Sequence, residues 1–334
     1  MTQVRVAVIG AGAIAQVAHL PALAGRDDVE IVGICDNDAS KARALASRLG
    51  IANSFEDIEE LLKHARPDAV AICTPNHLHE VHTLTALSAG AAVLCERPLA
   101  LTVEGIERIV AARHSAQRPV MVGMNHRFRN DIQAVRSFTA SGELGTLRAL
   151  RTGWYQFRAS RSGPGWRQRQ AEAGGGAMLD LGLPLLDLAL WLANRRSPLR
   201  VTAALHRSPG GGVEDGGSAY VVSEDGCSLS IDVAWRYVGD RERAWLDVLG
   251  EKGSARVSPL RVFKEINGTP RDVTPTGAAG RENVFSASYR AEWATFLAVA
   301  RQEVDPPALD DQLALHRTMD AVYLSAREGR TVTV

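Results

Sequence analysis

Gly10, Gly12 and Ala15 sit in the string Gly10-Ala11-Gly12-Ala13-Ile14-Ala15, a turn of the form G-x-G-x-x-G/A. Such a turn cradles a diphosphate when it links a strand to a helix and an acidic residue follows about 20 residues later. The surrounding pattern meets both conditions. Residues 4–9 (VRVAVI) read as a buried strand, residues 13–23 as a helix, and Asp36 ends the next apolar run, 24 residues after Gly12. Gly10 permits the tight turn, Gly12 lets backbone N–H groups approach the diphosphate, and Ala15 keeps helix and strand close. Ala13 and Ile14 open the helix, whose N-terminus contributes partial positive charge. Asp36 can accept hydrogen bonds from the adenosine ribose. With Asp38 close by and no adjacent arginine, it would repel a 2′-phosphate. The residues therefore predict NAD(H) and disfavour NADP(H).

Two polar loops follow later strands. Thr74-Pro75-Asn76 comes after residues 69–73, and Glu96-Arg97-Pro98 after residues 92–95. Carboxyl ends of parallel strands face the ligand crevice, so both loops are candidate cofactor contacts, with His79 shaping the first; Asn125, after residues 120–122, is a further candidate cofactor contact. Asp180 follows the run Gly174–Gly176, which would let a ligand approach closely. It reads either as a proton carrier or as a residue capping the start of its helix. Tyr155 and His126 are further acid/base candidates, set against ordinary core or surface roles. Asn125, Arg127, Arg158, Trp166 and Arg167, with Tyr155 and Asp180, suit a pocket for a polar, sugar-like substrate. For the arginines the plain alternative is salt bridges on a solvated face. No HExxH, GxSxG or Walker A string occurs, and no His/Cys spacing suggests a metal.

These candidates need elements to hold them. Through about residue 123, apolar runs (4–9, 29–35, 69–73, 92–95, 120–122) alternate with helical patterns (13–23, 39–49, 55–62, 79–89, 103–115). That alternation predicts a doubly wound parallel sheet with right-handed crossovers. After a helix at 130–140 the pattern changes to alternating strands at 147–157, 201–206, 219–222, 228–235, 244–249 and 254–257. An apolar helix at 178–192 interrupts them, and helices at 286–302 and 310–328 close the chain. The expected class is α/β: a Rossmann domain over residues 1–123, then a C-terminal α/β domain over 124–334 with a large open, mostly antiparallel sheet. The glycines near 209–217 read as a loop.

Length and charge narrow the function. The 334 residues are enough for two cores. Lys+Arg and Asp+Glu are equal at 38 each, so no net field draws the chain to nucleic acid or an anionic membrane. No apolar run reaches the roughly 18–20 residues of a bilayer span, and the N-terminus has no signal-peptide pattern. Cys35, Cys73, Cys95 and Cys227 form no CxxC pair and read as buried thiols. A cytoplasmic location is expected.

Taken together, AVIGAGAIA (7–15), CTPNHLH (73–79), CERPLALT (95–102), GMNHRF (123–128), Trp166-Arg167, GGGAMLDLG (174–182) and GRTVTV (329–334) resemble the Gfo/Idh/MocA oxidoreductases along nearly the whole chain. The resemblance implies hydride transfer between NAD(P) and a sugar, cyclitol or related polyol, and homodimers or homotetramers paired through the open sheet. It also implies a Glu-Lys-Pro lysine near the nicotinamide and an Asp–His pair four residues apart on one helix. Here Arg97 replaces that lysine and Pro184 that histidine, leaving Asp180. Arginine stays protonated and cannot shuttle a proton, so the set is atypical, with Asp180 handling the proton and Arg97 orienting charge. Two other readings are an NAD-dependent hydrolase or lyase working by transient oxidation, and a non-catalytic NAD-binding sensor.

Overall fold

The computed structural model describes residues 3–157, 165–194, 197–276 and 282–334, and the chain forms two compact units. The first comprises Met1–Phe128 and Glu282–Leu309. Its strands are β1 (Val4–Ile9), β2 (Val29–Cys35), β3 (Ser54–Phe55), β4 (Ala69–Ile72), β5 (Ala92–Glu96) and β6 (Val120–Gly123). They lie parallel in the order β3-β2-β1-β4-β5-β6. β4, β5 and β6 are buried throughout, which is why their sequences are unbroken apolar runs. The order reverses between β1 and β4, and open sheets of this kind take ligands outside the carboxyl ends at that switch point.

Local chemistry sets the helix ends. Asp38 accepts from the backbone N–H groups of Ser40 and Lys41 and so caps helix Ala39–Leu49, which ends at Gly50 in the left-handed conformation. Its charge is thus committed to the cap. The helix expected at 55–62 runs instead over Ile58–Ala65, because Asp57 accepts from Glu59 and Glu60 N–H and starts it there. Phe55 belongs to β3 and packs where a side chain on Gly33 would otherwise lie.

The domain assignment also changes. Helix Val284–Ala300, expected in the second domain, belongs to the first unit. Tyr289, Trp293, Phe296 and Leu297 of this helix join Val6, Val8, Ala11, Ala15, Ala18 and Leu20 in one core. An apolar face of that size must be buried, and this core is where it fits.

The second unit comprises Arg129–Arg281 and Asp310–Val334. Its strands are β7 (Leu147–Phe157), β8 (Pro198–His206), β9 (Gly216–Ser223), β10 (Ser228–Tyr237), β11 (Arg243–Gly250), β12 (Gly253–Val257), β13 (Arg261–Ile266), β14 (Thr269–Asp272) and β15 (Val332–Thr333). The order is β14-β13-β12-β11-β7-β10-β9-β8-β15. Among the described residues only β7–β10 is a parallel pair. β13, β14 and β15 lie outside the expected strands. Helix Leu183–Ala193 packs on β7 and β10, and Asp310–Glu328 on β8. In β10, Leu229, Ile231, Val233 and Trp235 are buried while their neighbours are not, so one sheet face is covered. Contrary to expectation, the helical run Gln170–Ala193 is long and apolar enough to span a bilayer by length and composition. Of its 18-residue apolar window, 89% is buried inside the protein.

Within the first unit, Asp28 ties the start of β2 to the end of helix Val284–Ala300, pairing with Arg26 and Arg301 at 2.8 Å each. The Arg26 hydrogen bond, assisted by Arg301 against the cost of burial, holds the Asp28 carboxyl at about 2. Because the folded value lies below the unfolded one, the stabilisation is present at neutral pH and lost as pH falls from about 4 toward 2. Asp28→Asn should therefore cost about 1 kcal/mol at pH 7, after allowance for solvent screening, and almost nothing at pH 2. Urea melts at the two pH values measure this. An equal cost at both would show that the pair contributes no charge-dependent stability.

Candidate functional site

The turn after β1 is held by its neighbours. Gly10 has φ +96°, and a Cβ there would lie 2.7 Å from the Cys73 carbonyl carbon and oxygen. Gly12 differs: a Cβ would meet only the Cys73 oxygen, at 3.8 Å. Packing inside the chain does not require glycine at 12, whereas a diphosphate approaching the backbone would. Ala15 is fully buried, while Ala13 is exposed and Ile14 half-buried. Asp36 accepts from Ala11 N–H at 2.7 Å and Asp38 N–H at 3.1 Å. It also pairs with Lys41 at 3.0 Å, a cation that the sequence reading had not placed there. These features fit the adenosine diphosphate half of a dinucleotide.

The other half of a dinucleotide would lie across the switch point, at the ends of β4, β5 and β6. His79 joins two of the loops there: its ring nitrogens lie 2.6 Å from the Pro98 carbonyl oxygen and 2.8 Å from that of Thr74. Thr74 Oγ1 bonds His82 at 3.2 Å, and Pro75 precedes a turn over Asn76–Leu78. Asn125 is buried and donates to Ser288 Oγ at 3.1 Å, and His126 and Arg127 continue its turn.

Glu96 is the hub. Its Oε1 accepts from His19 Nε2 at 2.9 Å and from the Tyr289 hydroxyl at 3.2 Å, and its Oε2 pairs with Arg97 at 3.4 Å. Trp293 Nε1 donates to His19 Nδ1 at 3.1 Å. An indole nitrogen can only donate, so Nδ1 is the acceptor and the imidazole proton sits on Nε2, pointing at Glu96. Burial opposes ionisation of Glu96, but the His19 hydrogen bond and the Arg97 charge outweigh it and hold the carboxyl at about 2. His19, Tyr289, Trp293 and Ser288 were not foreseen. For Ser288, Tyr289 and Trp293 the signal was a late helix with polar residues inside an apolar stripe; His19 lies at the end of the first π-turn and carried no such signal.

In the second unit Asp180 lies on a wide π-turn, Met178–Gly182, where Leu183 N–H bonds the Met178 carbonyl. Pro184 follows two residues on. It has no N–H, and in a regular helix its ring would crowd the Asp180 carbonyl, so the wider turn accommodates it. The first unit repeats the device with the π-turn Ala15–His19 before Pro21, which splits the helix expected at 13–23. Asp180 does not cap its helix. Its carboxylate accepts from Trp235 Nε1 at 2.9 Å and lies 3.9 Å from Arg167 Nε, and Arg167 stacks over Trp166 at 4.5 Å. The capping falls to Glu214, which accepts from Gly176 N–H (2.8 Å), Met178 N–H (3.1 Å) and the Tyr323 hydroxyl (2.7 Å).

Two expectations are corrected. Contacts within the chain account for the glycine run, not the approach of a ligand. Gly174 ends a helix at φ +79°, and side chains on Gly175 and Gly176 would overlap Tyr323 and the Glu214 backbone. Tyr155 does not join Asp180. It pairs with Ala234 and Arg243, so it occupies the sheet face opposite Trp235 and packs on Tyr237 and Trp245. Arg158 lies outside the described residues. A cavity of about 310 Å³ adjoins Trp235, lined by Gln168, Arg169, Ser208, Gly211, Asp215 and Arg236. The glycine loop expected near 209–217 forms one wall.

Residues 4–124 match the Gfo/Idh/MocA oxidoreductase model described as an NAD-binding Rossmann fold, and residues 132–256 match the family's C-terminal domain. A D-glucoside 3-dehydrogenase of Escherichia coli is 31% identical over 79% of this chain and 80% of its own length. The chain belongs to the Gfo/Idh/MocA oxidoreductase family. Another member, D-apiose dehydrogenase of Paraburkholderia graminis, is 30% identical over 98% of this chain and 88% of its own. GenD2 from gentamicin A biosynthesis, solved with NAD, superposes over the whole chain and 97% of its own with a TM-score of 0.86 at 25% identity. The protein is thus an oxidoreductase of an NAD-binding family, and the features around Gly12 and Asp36 fit that cofactor.

The two glycines should separate by experiment. Gly10→Ala should destabilise the fold by about 2–3 kcal/mol through strain and overlap. Gly12→Ala should change stability by no more than about 0.5 kcal/mol, yet raise the NAD+ Kd at least about tenfold. Thermal melts and calorimetric titration check both. Unchanged NAD+ affinity in Gly12→Ala would place the diphosphate elsewhere.

Proposed function

We propose that the protein transfers hydride between NAD(H) and a carbinol carbon of a sugar, cyclitol or related polyol. In this reading Asp180 handles the hydroxyl proton and Arg97 orients charge. The observation that carries it is the state of Asp180: a carboxylate whose side chain is 31% exposed, held by Trp235 and Arg167, and relieved of helix capping by Glu214. A carboxylate held in this way can accept a proton from a substrate hydroxyl and return it in the reverse direction. Trp166 and Arg167 offer an apolar face and a fixed cation to a polyol. Arg97, held by Glu96, supplies positive charge without exchanging a proton. Bound NAD supplies the hydride acceptor or donor. Relatives named as D-glucoside 3-dehydrogenase and D-apiose dehydrogenase support a sugar as the substrate class.

Asp36 supports NAD(H) over NADP(H), because a 2′-phosphate would have to displace its contacts with Ala11 N–H and Lys41. The open face of the nine-stranded sheet supports a homodimer or homotetramer, since it exposes Tyr220, Leu249 and Phe263 by 37–47%. The four free thiols are all buried, which suits a reducing, cytoplasmic setting.

Turnover with NAD+ and NADH across aldoses, glycosides, inositols and their keto forms, followed by nicotinamide absorbance, tests the reading. Asp180→Asn should lower kcat by about 10²–10⁴-fold with NAD+ affinity unchanged. Trp235→Phe, which removes one hydrogen bond to Asp180, should cost roughly tenfold. Activity undiminished in Asp180→Asn would overturn the assignment. Cofactor binding without turnover on any substrate would favour the sensor reading, consistent with Arg97 and Pro184.

A further inference from the structure

Glu292, on the late helix of the first unit, is fully buried, and neither of its carboxyl oxygens has a hydrogen-bond partner. An ionised carboxylate in that condition would be strongly destabilised, so the group must be neutral or be paired with something not yet bound. It lies one helical turn beyond Ser288 and Tyr289, on the face that reaches Asn125 and Glu96. The titratable groups around it come from four elements. Glu96 and Arg97 stand at the end of β5, Cys73 at the end of β4, His19 on the first π-turn, and Tyr289 on its own helix. Burial and the Glu96 charge push the Glu292 carboxyl well above the usual carboxylate range, with Arg97 opposing. Both ring nitrogens of His19 already have partners, Trp293 Nε1 and Glu96 Oε1, and burial keeps the Tyr289 and Cys73 protons in place. Of this set, Glu292 alone combines a titratable proton with an unfilled bonding requirement.

Its location gives that proton a use. With the diphosphate at Gly12 and the adenosine half at Asp36, the nicotinamide half falls across the switch point, toward the ends of β4 and β5. The oxidised nicotinamide is a cation and the reduced one is neutral.

We propose that Glu292 is a proton-exchanging group linked to the redox state of the cofactor. It is a carboxylic acid in the free protein, ionises when the oxidised cofactor binds, and is reprotonated when the reduced form takes its place. The exchange balances as protein–COOH plus NAD+ giving protein–COO⁻·NAD+ plus one proton released to solvent. No covalent bond to the cofactor is involved. The inference rests on the proposed NAD(H) site but not on Asp180 or on turnover.

The sign follows from linkage. A cation that stabilises the carboxylate binds more tightly as pH rises, by at most about tenfold per pH unit for one proton. Calorimetric titration of NAD+ and NADH from pH 6 to 9, in buffers of different ionisation enthalpy, reads both affinity and proton count. The expected result is release of up to one proton with NAD+, a Kd for NAD+ that falls with pH, and a Kd for NADH that does not. Glu292→Gln, nearly isosteric, should abolish the release and flatten the NAD+ profile, while Asp180→Asn should keep both. Infrared difference spectra of the unaltered protein give a second readout, in which a protonated-carboxyl band should vanish on adding NAD+. Release or slope undiminished in Glu292→Gln would overturn the inference, as would NAD+ binding by the unaltered protein with no proton released and no band lost. A failure to bind NAD+ at all would instead overturn the cofactor site.

Discussion

The buried carboxylate of Glu96 is the point on which the first unit turns. It ends β5, and it accepts from His19 on the first π-turn and from Tyr289 on the late helix. A charge in that environment persists only if donors surround it, and here the donors come from segments far apart in sequence. Satisfying one carboxylate therefore fixes the helix that follows the glycine turn, the strand end that carries Arg97, and the helix that carries Glu292. Trp293 completes the arrangement by fixing which nitrogen of His19 holds the proton.

The second unit solves the same problem with different residues. Glu214 collects two backbone N–H groups at the head of a π-turn and the hydroxyl of Tyr323. In both units a π-turn is followed two residues later by a proline, Pro21 or Pro184. Each wide turn also carries a side chain that matters, His19 in one case and Asp180 in the other. Pro184 thus has a role in the backbone. It belongs to the backbone device that shapes the turn on which Asp180 stands.

Much of the cofactor half was legible in the sequence because its chemistry is local. A glycine turn, the strand before it and the helix after it lie within about 20 residues, and Asp36 ends the next strand. The parallel sheet showed as unbroken apolar runs because both of its faces are buried. The second unit was less legible at its margins. β13, β14 and β15 are short or polar and take their identity from pairing partners elsewhere in the sheet. Tyr155 was grouped with Asp180 because sequence order does not show which side of a strand a residue will face once register is set.

The sequence by itself determined the two-part α/β plan and the glycine turn with Asp36 at the end of the next strand. These follow from periodicity, glycine stereochemistry and residue type, which act over short stretches of chain. Tertiary structure alone decided that residues 284–300 belong with the first unit, that His19 and Tyr289 serve Glu96, that Trp235 holds Asp180, and that Glu292 is buried without a partner. Burial and hydrogen-bond satisfaction are properties of groups brought together from distant positions. No window of sequence contains both a buried carboxylate and the donors that fold around it, or the place left without one.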